Sequence, residues 1–138
     1  MKNTQQFIDE LTYNIIGCAI EVHKQLGPGL LESVYEQSFI RELSLQGLNY
    51  KTQIWIPVFY KGLQLETQLR SDVLVEDLII VELKAVEYLI AIHDAKLLTY
   101  MKLMNRPKGI LINFNCTNIF KEGQKTFVNQ LYADLPYK

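Results

Sequence analysis

Cysteine is scarce in this 138-residue chain, which has only Cys18 and Cys116; so few exclude a disulfide framework and a cysteine-rich zinc site. Cys18 sits among apolar helical positions and Cys116 closes an apolar run, so both are expected to be reduced packing residues. Long hydrophobic runs are missing too: none approaches the roughly 20 residues of a membrane span. The N-terminal MKNTQQFIDE lacks the basic-then-apolar pattern of a secretory signal, so a cytoplasmic location without a membrane partner is expected. Nor is there a basic excess, since 14 Lys and Arg are set against 15 Asp and Glu, for a net charge of -1. Proteins that coat nucleic acid through broad phosphate contacts carry such an excess; any nucleic-acid contact here is therefore expected to be local. No internal repeat, linker or low-complexity segment is visible. What is present, 49% hydrophobic and 21% charged residues, is a globular composition, and the length suits a single domain over residues 1–138 with one core.

The apolar pattern divides the chain into elements. Phe7, Ile8, Leu11, Ile15, Cys18, Ala19, Val22 and Leu26 recur at steps of three and four, which predicts an amphipathic helix from Thr4 to Leu26, stopped by Gly27, Pro28 and Gly29. A second helix is expected from Leu30 to Gln46, antiparallel to the first. From Tyr50 to Tyr60 the period changes to two, as in a strand, and Pro57 marks it as an edge strand because it cannot donate to a ladder. Lys61 and Gly62 supply a turn, and a return strand from Leu63 to Val75 is expected to set Leu63, Leu65, Leu69, Val73 and Val75 on one face. After Glu76 and Asp77, a more buried strand runs from Leu78 through Lys84. A helix from Ala91 to Met104 with Ile92, Ala95, Leu98 and Met101 inward, a final strand from Gly109 to Asn115, and a weakly patterned tail complete the reading.

Polar residues that interrupt these patterns are the candidates for chemistry. Glu82 and Lys84 are two apart on a strand and leave one face of it; burying them in a sheet is costly unless they pair, bind a metal or meet substrate charge. Asp72, near the end of the preceding strand, lies where a hairpin brings it to Glu82. Two such carboxylates suit Mg²⁺ or Mn²⁺, and Lys84 can orient a water or neutralise phosphate charge. Glu32 shares a helix face with Tyr35 and Glu36; a first-turn carboxylate also favours a helix N-terminus on its own account. His23 is a lone imidazole with only distant His93 elsewhere, and reads as structural.

The stretch LGPGLLESVYEQSF, with Gly29, Glu32 and Tyr35, resembles the signature of the GxxExxY proteins, a group within the PD-(D/E)xK nuclease superfamily. EVHKQLGPG, RSDVLVED, VELKAVE and LINF resemble further family segments in the same order. The resemblance implies an α/β, restriction-endonuclease-like core, αβββαβ, with a central mixed sheet flanked by helices and an extra N-terminal helix. It implies Asp72, Glu82 and Lys84 as the nuclease triad, Glu32 as a helix-borne acidic partner and metal ligand, and Tyr35, Lys96 and Tyr100 as substrate-side groups. The implied activity is Mg²⁺- or Mn²⁺-dependent cleavage of DNA or RNA, with a homodimer as one possible assembly. Two departures stand out: Lys96 occupies a position where similar proteins often carry Gln, and Thr126, beside Lys125, stands where they often carry a basic residue. The alternative is a nuclease-fold module that binds nucleic acid or a protein partner without cutting.

Overall fold

Thr4 opens the first element: its hydroxyl accepts from Phe7 N–H at 3.1 Å, satisfying an otherwise orphan donor of the helix start. In the computed structural model, which describes residues 4–138, α1 runs Gln5–Leu26 and α2 Glu32–Leu45. Gly27 and Gly29, with φ of 71° and 96°, make the reversal between them in a region other residues rarely enter. α2 returns along α1, so Cys18 lies within the field of Glu42 and Val22 shares a cleft with Ser38. The pair is antiparallel, as expected.

The expected edge strand and its return are each interrupted. Tyr50–Trp55 forms β1, Val58–Tyr60 β2, Leu63–Leu65 β3 and Arg70–Val75 β4. β1 pairs with β4 in the main sheet, while β2 and β3 form a separate two-stranded arm around the Lys61–Gly62 turn, where both residues have positive φ as a tight hairpin turn requires. Pro57 falls in the break between β1 and β2, where no ladder donor is needed. The single apolar face expected from Leu63 to Val75 is therefore corrected: Leu63 and Leu65 are exposed on the arm, Leu69 packs with one cluster and Val73 and Val75 with another.

β5 (Ile79–Lys84), α3 (Ala91–Met104) and β6 (Lys108–Asn113) follow, with β6 parallel to β5. The tail holds a short α4 (Ile119–Glu122), a strand β7 (Gln124–Val128) antiparallel to β6, and α5 (Gln130–Ala133). β7 replaces β6 as the last strand of a mixed five-stranded sheet ordered β1-β4-β5-β6-β7. Its exposed, polar alternation explains why periodicity did not reveal it.

The sheet separates two apolar layers where one core was expected. Ile8, Ile15, Tyr35, Phe39 and Leu43 of the helical pair cover Val73, Val81, Leu83 and Ile112 on one face. α3 covers Leu74, Ile80 and Leu111 on the other, through Leu97, Tyr100 and Met101. The expected inward set on α3 is thus corrected in phase: Met101 is buried, but Ile92 and Leu98 are exposed and Ala95 faces solvent. Close approach of α3 depends on Gly109, where an added Cβ would lie 2.7 Å from Met101 Sδ and 2.9 Å from a Leu97 methyl. Burial of these faces is the main term holding the layers together.

Candidate active site

Residues 80, 82 and 84 leave β5 on the α3 side, since alternation sends Val81 and Leu83 into the opposite layer. β4 and β5 pair at Val75↔Ile79, Leu74↔Ile80 and Val73↔Val81, and the next step would set Asp72 opposite Glu82. There the recorded ladder ends, and the Asp72 carboxylate accepts from Leu83 N–H at 2.9 Å. A side chain takes over a strand-to-strand bond, and that fixes Asp72 against β5.

Glu82 is 4% exposed, and its Oε1 has no hydrogen-bond partner. Burial, followed by a side-chain hydrogen bond with Asp72 and the Asp72 charge, pushes the Glu82 carboxyl up to about 9, against smaller lowering by Lys96 and Lys84. Two adjacent carboxyls of which one keeps its proton is the behaviour of like charges that cannot both ionise in a poorly hydrated site. Tyr100, 4% exposed, lies in the same field: burial first, then the charges of Glu82 and Asp72, raise its hydroxyl. Lys96 sits over the Tyr100 ring, 5.4 Å from its centroid. Asp72, Glu82, Lys84, Lys96 and Tyr100 therefore occupy one electrostatic neighbourhood.

Glu32 is not gathered with them. It lies exposed in the first turn of α2, its charge acts on Glu36, and among the described residues no group of three or more His, Cys, Asp or Glu side chains stands close enough to hold a metal ion. Tyr35, expected as a substrate-side group, is buried in the structure. It is 0% exposed, stacks on Phe114 with ring centroids 4.5 Å apart, donates to Gly27 O at 2.6 Å and accepts from Leu30 N–H at 3.1 Å. Its hydroxyl fastens the α1–α2 reversal. His23 is likewise structural, its Nε2 donating to Cys116 O at 2.8 Å.

Other polar residues stand at this end of the sheet. Asn113, 5% exposed and opposite Lys84 in the parallel ladder, accepts from Val86 N–H and donates to Val86 O at 3.1 and 3.0 Å. It pins the chain as it leaves β5. Its only sequence signal was a polar residue ending the run GILIN. Together with Glu87, Tyr88, Asn115 and Lys125, Asn113 lines a cavity of about 400 Å³ at this end of the sheet. Lys125 pairs with Asp94 at 3.1 Å, joining β7 to the first turn of α3. On α2, Glu36 accepts from Gln53 Nε2 at 2.9 Å.

An acidic residue near the start of one sheet strand, Glu-x-Lys on the next, and a parallel strand reached through a helix form an ordered set. Residues 9–127 match a family described as the PD-(D/E)XK nuclease superfamily. The chain belongs to that superfamily. No curated protein and no solved structure matches it. Its mixed sheet flanked by helices is the restriction-endonuclease-like fold of PD-(D/E)XK nucleases, with α1 as the extra N-terminal helix. Nucleases of this kind generally use divalent metal ions, and the donor set here fits one. Two hard carboxyl groups meet, and one buried oxygen lacks a partner, which suits a cation that takes one or two carboxylates and completes its shell with water and substrate oxygen.

Proposed function

We propose that this PD-(D/E)XK protein hydrolyses phosphodiester bonds in DNA or RNA with Mg²⁺ or Mn²⁺, and that it is a GxxExxY-type member of its superfamily. The observation that carries the reading is the Asp72–Glu82 contact, with the unpartnered Glu82 Oε1 beside Lys84 and Lys96. Asp72 and Glu82 would hold the ion. When bound, it lowers the pKa of a water and offsets charge building on the phosphate. Lys84, on the same face of β5 as Glu82, orients that water or donates to a phosphate oxygen; its compact ammonium on a mobile stem suits either task. Lys96 faces the same carboxyls from α3 and supplies a second cation toward the phosphate. Tyr100 offers its ring face to the Lys96 ammonium and, packed in the α3 layer, walls the site from the apolar residues below. Glu32 keeps the favourable first-turn position of a carboxylate at a helix N-terminus.

Near-neutral net charge supports a short contact centred on this site rather than a broad basic surface. A cytoplasmic location fits the composition, and among the described residues no helix is long and apolar enough to cross a membrane. A homodimer would bring two such sites to opposite strands of a duplex.

Purified protein incubated with single-stranded and duplex DNA and RNA plus Mn²⁺ tests the reading. Cleavage is expected, and Asp72→Ala or Glu82→Ala should reduce it by about two orders of magnitude or more, the scale on which loss of a transition-state-stabilising group acts. Cleavage that survives both substitutions unchanged would assign the activity to another site. The second reading, binding without cleavage, is favoured by Lys96, a cation that already acts on the Asp72–Glu82 pair; retention of nucleic acid with no cleavage at any ion concentration would select it.

A further inference from the structure

We propose that the Trp55–Arg70 pair and the β2–β3 arm beyond it form a stacking surface for an unpaired nucleic-acid strand, which they lead toward Asp72 and Glu82. This rests on the reading that the chain acts on nucleic acid, and it makes the substrate single-stranded where it meets the protein. Trp55 and Arg70 are partners at the end of the β1–β4 ladder. The Arg70 guanidinium lies over the Trp55 ring, 3.9 Å from its centroid. Arg70 precedes Asp72 by two residues on β4, which is about 7 Å along a strand. The pair therefore stands next to the candidate site.

The same pair marks the root of the arm. Ile56 is buried with the α3 layer, and its N–H donates to Leu69 O at 3.0 Å, so the chain leaves the sheet from a fixed point. Neither β2 nor β3 buries a residue. The arm thus adds little to the core, yet it presents Phe59 and Tyr60 to solvent, with Trp55 at its root 53% exposed.

Cations are interleaved with these rings. Lys61 Nζ lies 5.4 Å from the Tyr60 centroid, and residues 50–70 hold Lys51, Lys61 and Arg70 against one acid, Glu66. The rest of the chain carries more acid than base. Among the described residues, Lys61 and Arg70 enter no ion pair. Aromatic faces set among unpaired cations match a strand in which every base offers a π-face and every link a phosphate. In a duplex the base faces are already covered by their neighbours. A second copy docked arm to arm would bring cation toward cation, where a nucleic-acid strand brings phosphate.

Trp55 is the only tryptophan, so its emission reports the contact directly. The full chain, in chelator and at low salt, is titrated with labelled oligothymidylate, oligouridylate and a blunt duplex, following Trp55 emission and label anisotropy, with melting curves for each variant. Both single strands should quench the emission and the duplex should not. Trp55→Ala should weaken single-strand binding by about tenfold, Trp55→Phe should restore most of it, and Arg70→Ala should reduce the slope of log affinity against log salt by about 0.7. Wild-type strand affinity in Trp55→Ala, strand binding with unchanged emission, equal quenching by the duplex, or no binding of either strand overturns the proposal. Loss of a dimer in Trp55→Ala with strand affinity intact assigns the surface to a second copy instead. Should Trp55→Ala fail to fold, the wild-type emission decides. Cleavage is scored separately: a chain that cuts without this contact keeps the nuclease reading, and one that shows the contact but never cuts loses that reading and keeps the stacking surface.

Discussion

Glu82 carries the most consequential conflict at the scale of a single residue. Its carboxyl is buried with an unpartnered oxygen against Asp72, and burial is the first cause of its raised pKa. In the unfolded chain the same group ionises near the ordinary carboxylate value. Between that value and about 9, the folded state therefore binds more protons than the unfolded state. Stability must then fall as pH rises across this window and level off above it. Melting curves in chelator from pH 5 to 9 should show that decline, and Glu82→Gln should flatten it and stabilise the metal-free chain at pH 8 by on the order of 1–3 kcal/mol. An unaltered slope in the variant would mean that another group causes it. The stretch VELK exposed this conflict in advance, because two charges in a strand with apolar neighbours need a reason. What it could not reveal was the Asp72 bond to Leu83 N–H, which exists only because the ladder stops there.

Among the elements, the segment from Gly29 to Tyr35 shows how much of a pattern can belong to architecture. Gly29 supplies the positive φ, Glu32 the first turn of α2, and Tyr35 returns its hydroxyl to both sides of the reversal. Tyr35→Phe keeps the stacking on Phe114 but leaves Leu30 N–H and Gly27 O without that partner. A loss of about 1–3 kcal/mol is expected in denaturant melts, with Mn²⁺ affinity little changed; an unchanged midpoint would place the hydroxyl outside the folding energetics. The helices α1 and α2 were legible because their apolar residues keep one period throughout, and the strand β5 because it begins in a short unbroken apolar run. The arm β2–β3 was not, since Val58 to Leu65 alternates as a sheet strand does yet leaves Phe59, Tyr60 and Leu63 exposed. α3 misled in phase: apolar residues occur all round it, so only packing over Gly109 selects Leu97, Tyr100 and Met101.

Across the whole molecule, two apolar layers lie on either side of one sheet, and among the described residues the buried charged groups are Lys108, at the start of β6, and Glu82, whose place at the other end bears on the site. That place is where β4 and β5 part, between the helical pair and α3. The placement follows from topology: antiparallel β4 and β5 bring Asp72 to Glu82, parallel β6 sets Asn113 beside Lys84, and α3 carries Lys96 and Tyr100 over the same end. Composition could not foretell it, since a chain with net charge -1 gives no hint of where its few cations gather. Crystals of the wild-type chain soaked in Mn²⁺ and measured at the manganese absorption edge put the central claim to its most direct test. An anomalous peak within about 2.3 Å of carboxylate oxygens of both Asp72 and Glu82 is the predicted result; a fully soaked crystal with no peak between those two residues would contradict it.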